Sequence, residues 1–146
     1  VDYAVLAHQL RMEEGERFAV YSDSRGVASV GVGHRLLPVD HLRRGDRISQ
    51  AHSARYLKQD IEIAVGICLA LWLTWHVYPE EVQQVLAQMA YQLGYTGFEG
   101  FRHFAGAIEH RHWQAAARHG RQSRWYRQVP QRAERLMARL EAVPPA

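Results

Sequence analysis

The sequence predicts an α+β fold, mainly helical, in which a small N-terminal β-hairpin lobe is joined by a long helix to a larger helical lobe. Three observations carry that expectation. Strand-like alternation is confined to residues 17–34. After Ser49 almost every segment repeats its apolar residues at helical spacing. With 146 residues, 47% of them hydrophobic and 23% charged, the chain has the balance of one globular domain and no low-complexity linker.

The elements follow in order. Val5, Leu6 and Leu10 lie on one face of a first helix, with Asp2 as its N-cap and Gly15 as its stop, so Glu14 is the last helical residue. "RFAVYS" alternates, Phe18, Val20 and Ser22 facing one way and Ala19 and Tyr21 the other. "ASVGVGH" repeats the alternation after "DSRG", which predicts a hairpin. Gly31 and Gly33 weaken a strand and leave room for another group to approach. "LLPVDHLRRGDR" reads as a loop. Ser49 caps a helix over "QAHSARYLKQDIEIAVGICLALW", amphipathic at first (Tyr56, Leu57, Ile61), then apolar all round and therefore expected to be buried, with Gly66 at a bend or a close helix crossing.

Pro79 opens a helix whose stripe (Val82, Val85, Leu86, Met89, Ala90, Leu93) is closed by Gly94. "FEGFRHFAGAIEH" and "HWQAAARHG" are shorter helices, the second stopped by Gly120. Ser123 begins another, and Pro130 opens the last, with Ala133, Leu136, Met137 and Leu140 inward. The small lobe spans about 15–48, the connecting helix about 50–72, and the helical lobe about 73–146 together with the first helix.

Several classes are disfavoured. The longest apolar run, Ile63 to Trp75, is 13 residues, whereas a bilayer span takes about 20. "VDYAVLAHQLRMEEG" has neither the basic start nor the cleavage site of a secretory signal. The only cysteine, Cys68, permits no intrachain disulfide. A net charge of +3 suits an anionic polymer, nucleic acid or bacterial wall, without choosing between them.

The chemistry-bearing stretch is "EEGERFAVYSDSRGVASVGVGH". Cleaving a glycosidic bond requires a proton donor at the leaving oxygen and a second carboxylate that attacks the sugar or activates water. Glu14, ending a helix beside an apolar strand, suits the donor. Asp23, at the hairpin turn, suits the ionised partner, and the Ser29 hydroxyl on the returning strand can hold a water near it. Surface acids flanking a strand are also common, and the spacing alone leaves both readings open.

The order of features resembles the active-site segment of the phage-type lysozymes, glycoside hydrolase family 24. That segment has Glu-Gly at a helix end, eight residues between that Glu and an Asp, five between the Asp and a Thr, then Gly-x-Gly-His. Here these are Glu14-Gly15, Asp23, Ser29 in place of Thr, and Gly31-Val32-Gly33-His34. "AYQLGYTGFEGF" and "SRWYRQVPQRAERL" resemble the family's C-terminal lobe, so the likeness covers most of the chain.

The resemblance implies a muramidase (an endolysin) that needs no cofactor and cleaves the β-1,4 bond between N-acetylmuramic acid and N-acetylglucosamine with inversion. Glu14 would be the general acid, Asp23 would position or activate water, and Ser29 would hold it. Arg35, Tyr91, Gln92, Phe104 and His119 would contact sugar or peptide, Arg132 would pair with Glu14, and His34 would pair with Asp60. The expected partner is bacterial peptidoglycan, met by a monomer that accumulates in the host cytoplasm. Between Gly33 and Ser49 the chain is shorter than the larger members, implying a missing helix in the small lobe.

Other readings are weaker. His103, His110, His112 and His119 have no helical i, i+4 ligand spacing and no cysteine beside them, so no metal site is expected. "RHGRQSRWYRQVPQRAERLMAR" resembles a nucleic-acid surface, but Trp113, Trp125 and Tyr126 are better placed in a helical core. The rival of a different class is a lysozyme-like domain that binds peptidoglycan or a protein partner with little or no cleavage.

Overall fold

The computed structural model describes residues 1–23 and 25–146. The chain divides into two compact units, residues 3–63 and residues 1–2 with 64–146. The first helix falls in the same unit as the hairpin.

In the hairpin unit, α1 (Tyr3–Glu14) buries Leu6 and Leu10 completely. It ends at Gly15, whose φ of +71° and N–H to the Arg11 carbonyl (2.9 Å) form a left-handed cap. Strands β1 (Arg17–Ser22) and β2 (Ala28–Gly31) pair antiparallel, with an irregularity between Arg17 and Tyr21. "ASVGVGH" is not one strand. At Gly31 and Gly33 φ is +66°, a conformation costing other L-residues about 1 kcal/mol or more, and the chain reverses there into β3 (His34–Arg35). The result is a three-stranded antiparallel sheet in the order β1-β2-β3. Its core is Val20, Val30, Ile48 and Tyr56, with Phe18, Leu36 and Leu42 against it. Between β3 and Ser49 the only helical element among the described residues is a 3-10 turn, Pro38–Asp40.

Helix α2 (Gln50–Leu71) starts where the Ser49 hydroxyl accepts the His52 N–H at 3.0 Å, a cap worth about 1 kcal/mol. Its apolar second half is not buried all round. Ala64, Val65 and Cys68 are inside, but Ile63 and Leu69 are 62% and 46% exposed, because a core covers only one side of this helix; just past its end Trp72 is buried and Leu73 is 88% exposed. No neighbour approaches the exposed Gly66, so it marks no close crossing. Cys68 is fully buried, and burial pushes its thiol far above the range in which it would react.

In the helical unit a 3-10 turn (Trp75–Val77) leads to α3 (Glu80–Glu99), buried on almost every side from Val82 to Ala90. Two buried amides donate to backbone there: Gln83 Nε2 to the Tyr78 carbonyl (2.9 Å) and Gln84 Nε2 to that of Asp2 (3.0 Å), while Gln84 Oε1 has no hydrogen-bond partner. Gly94 (φ +69°) interrupts α3, and the helix resumes beyond it.

Next come α4 (Arg102–Glu109), α5 (Trp113–Arg121), α6 (Arg124–Gln128) and α7 (Pro130–Glu141). Gly120 does not stop α5. A Cβ there would fall 2.2 Å from Met137 Sδ, so the glycine lets α5 and α7 approach closely. Arg121 binds Glu134 and Glu141 of α7 across the same crossing. Trp113, Trp125 and the α7 stripe are buried as the pattern predicts. Among the described residues no helix is long and apolar enough to cross a membrane.

Candidate active site

Three carboxyl and hydroxyl side chains of the expected kind lie within the hairpin unit: Glu14, Asp23 and Ser29. Glu14 is half-buried at the end of α1. The β2–β3 turn comes directly against it: a Cβ at Gly33 would lie 3.1 Å from Glu14 Oε2 and 3.4 Å from its carboxyl carbon. A larger residue at Gly33 would displace that carboxylate, so the glycine shapes the site as well as the turn.

Asp23 follows β1 immediately. Its Oδ1 accepts two backbone N–H groups, from Arg25 and Val27, both at 2.8 Å. The Val27 N–H is the chief cause holding its carboxyl below the ordinary range. Partial desolvation opposes it, and the Arg25 N–H and the charges of Arg35 and Arg25 add to it. Asp23 is therefore ionised at neutral pH.

Tyr21 pairs with Ser29 and Ser22 with Ala28, and the Asp23 N–H bonds the Val27 carbonyl. Continued one residue past Ser22, the alternation would bring Asp23 to the face that carries Tyr21 and Ser29. Ser29 is 4% exposed. On its other side it pairs with Arg35, an exposed residue of β3.

His34 is clamped from both sides. Asp60 Oδ2 lies 2.7 Å from Nδ1 and Asp40 Oδ2 3.0 Å from Nε2, while the ring stacks on Tyr56 at 3.9 Å between centroids. Burial disfavours the charged ring, but the hydrogen bonds and charges of Asp60 and Asp40 outweigh it and hold His34 above its ordinary value. Asp40 lies below its own: burial opposes ionisation, and the Leu37 N–H and His34 prevail. Asp60 is the partner that the family resemblance implies; Asp40 is a second one that the sequence does not reveal. A lone aspartate in a loop after Pro38 has no periodicity to betray it.

The helical unit holds the remaining candidates. Tyr91 is half-buried on α3. Gln92 Oε1 accepts the Trp125 indole N–H at 2.9 Å, so its amide is committed to holding α6. His119 is half-buried and stacks on His103, with centroids 5.4 Å apart. Arg132 is half-buried on α7. Phe104 corrects the expectation: it is 2% exposed and packs between Phe98 and Phe101, a core residue with no ring face to offer a sugar. Among the described residues no group of three or more His, Cys, Asp or Glu side chains could hold a metal ion.

Residues 11–142 match the family model for phage lysozyme. The chain is 25% identical over 152 residues to the pre-baseplate central spike protein Gp5 of Enterobacteria phage T4, covering 90% of this chain and 26% of that protein. It is 23% identical to the probable T4-type lysozyme 2 of Dictyostelium discoideum, covering 93% of each. Over 96 residues it is 31% identical to the endolysin of Salmonella phage P22, covering 63% of this chain and 62% of that one. It thus spans about a quarter of the spike protein and nearly all of the Dictyostelium relative. The family match begins in the last turns of α1, takes in the Glu14 and Asp23 segment and runs past the end of α7, and on that extent the chain belongs to the phage lysozyme family.

Proposed function

We propose that this member of the lysozyme family, a peptidoglycan-cleaving glycoside hydrolase, cuts the β-1,4 bond between N-acetylmuramic acid and N-acetylglucosamine by an inverting, single-displacement mechanism. The observation that carries the reading is the pair of unlike carboxyl environments in one unit. Glu14 is packed against the Gly33 turn, and Asp23 is held ionised by two backbone N–H groups and nearby arginines.

Glu14 donates its proton to the leaving glycosidic oxygen. Asp23, on the opposite side of the sugar, accepts a proton from the water that attacks the anomeric carbon. Asp23 Oδ1 is occupied by backbone, which leaves Oδ2 for that water. Ser29 orients it. Tyr91 and His119 contact the glycan, and Arg35 meets the lactyl or peptide carboxylates while its charge favours ionised Asp23. The protein accumulates as a monomer in the host bacterial cytoplasm before its release to the wall. Its similarity to about a quarter of the T4 spike protein fits a segment that also occurs within longer chains.

Turbidity loss of outer-membrane-permeabilised bacteria tests the assignment. Glu14→Gln is nearly isosteric and removes only the transferable proton, so the folded variant should lose at least 10³-fold in rate. Lysis near the parent rate would sink it.

A further inference from the structure

A buried serine of α2 has no role in the mechanism so far. Ser53 is 0% exposed. It sits on the face of α2 that continues through Leu57 and Ile61, both buried, where an alanine would fill the same space without a polar atom to satisfy. Burying a hydroxyl stabilises nothing unless a partner repays the lost hydration. Its partner is Glu16: Ser53 Oγ donates to Glu16 Oε2 at 2.7 Å, and Arg11 Nε lies 3.5 Å from the other carboxylate oxygen. The same Oγ bears on the β2–β3 turn, where a Cβ at Gly31 would lie 2.9 Å from it.

Ser53 thus sits between two segments that frame Glu14. One is the chain just past Gly15, pinned through Glu16 two residues from the acid. The other is the Gly31–Gly33 turn, whose first glycine rests on Ser53 and whose last rests on the Glu14 carboxylate. All of these residues lie in the hairpin unit.

We propose that Ser53 and Glu16 form a positioning pair for the general acid: the buried hydroxyl locks Glu16 and the glycine turn together, so that Glu14 is held at the geometry of proton donation. This rests on the assignment of Glu14 above. Neither residue touches the glycan. Their effect falls on an interaction made in the transition state, and therefore on kcat rather than KM.

Single-turnover-calibrated kinetics on soluble peptidoglycan fragments test the pair in the full chain, with the parent and Glu14→Gln in parallel. Ser53→Ala and Glu16→Ala should each lower kcat about 5- to 10-fold with KM within about twofold of the parent. The double variant should be no slower than either single one, because each removes the same bond. Glu16 is partly solvated, so Glu16→Ala carries the test if Ser53→Ala does not fold. Unchanged kcat, a loss confined to KM, or single losses that multiply in the double variant would overturn the pair. An inactive parent, or a Glu14→Gln variant as active as the parent, would instead overturn the assignment on which it rests.

Discussion

Replacing His34 with asparagine tests the double carboxylate clamp. The side chains of His34, Asp40 and Asp60 are 8%, 10% and 21% exposed, so the contacts at 2.7 and 3.0 Å lie in a poorly solvated setting. A neutral imidazole has one N–H and one bare nitrogen, which would turn a lone pair toward one of two carboxylates. Only the imidazolium donates to both, and its charge also favours the stack on Tyr56. Leaving a buried carboxylate without its counter-charge costs about 3–5 kcal/mol in a dry interior. With Asp60 a fifth exposed, we expect about 3 kcal/mol, or a melting point lower by about 6–12 °C for a chain of this size.

The pH dependence follows from the signs of the shifts. His34 lies above its ordinary 6.5, so its contribution is complete below that value and is lost as pH rises through the folded pKa. Asp40 lies below its ordinary 3.8, so its contribution is complete above that value and is lost as pH falls through the folded pKa. The difference in melting temperature between parent and His34→Asn should therefore be greatest from about pH 4 to 6.5 and shrink in alkali. Thermal melts from pH 4 to 9 measure it. A constant difference across that range, or full additivity of His34→Asn with Asp40→Asn, would refute the clamp.

Three further outcomes are expected. Gly33→Ala puts a Cβ 3.1 Å from Glu14 Oε2 at a φ of +66°, so it should cost about 1–2 kcal/mol of stability and lower kcat more than KM in fragment hydrolysis; parental kcat would remove the turn from the site. Arg35→Gln removes a charge that helps keep Asp23 ionised, so the acid limb of the pH–rate profile should move to higher pH, and an unmoved limb would sever that link. Gly120→Ala forces a methyl to within 2.2 Å of Met137 Sδ and should lose about 1–3 kcal/mol in melts, part of it restored by Met137→Ala; a silent Gly120→Ala would mean that the two helices can part freely.

Legibility in the sequence tracked how local each cause was. Helix ends were readable because Gly15, Ser49, Ser123 and Pro130 act on their own neighbours. The turn at Gly31 and Gly33 was half read: the glycines announced a close approach, but alternation through Val32 disguised a reversal that depends on positive φ. Gly94 and Gly120 look alike in sequence, yet one leaves the helical conformation and the other lets a neighbour in, a difference set by α7 rather than by local propensity. Burial was hardest to foresee. Phe104 and the exposed Leu69 and Leu73 are all apolar residues at helical spacing, and only the packing of distant helices decides which face is covered. Within the site, Glu14, Asp23 and Ser29 came from one contiguous stretch, whereas Asp40, Glu16 and Ser53 act across folds of the chain that no spacing encodes.

The central claim is a muramidase reaction carried out by water. Purified peptidoglycan digested with the protein, reduced with borohydride and analysed by mass spectrometry exposes the new chain end directly. Cleavage by water on the muramic acid side yields products ending in N-acetylmuramitol, absent from the Glu14→Gln digest. Products ending in N-acetylglucosaminitol, or in 1,6-anhydro-N-acetylmuramic acid formed without water, would contradict the claim.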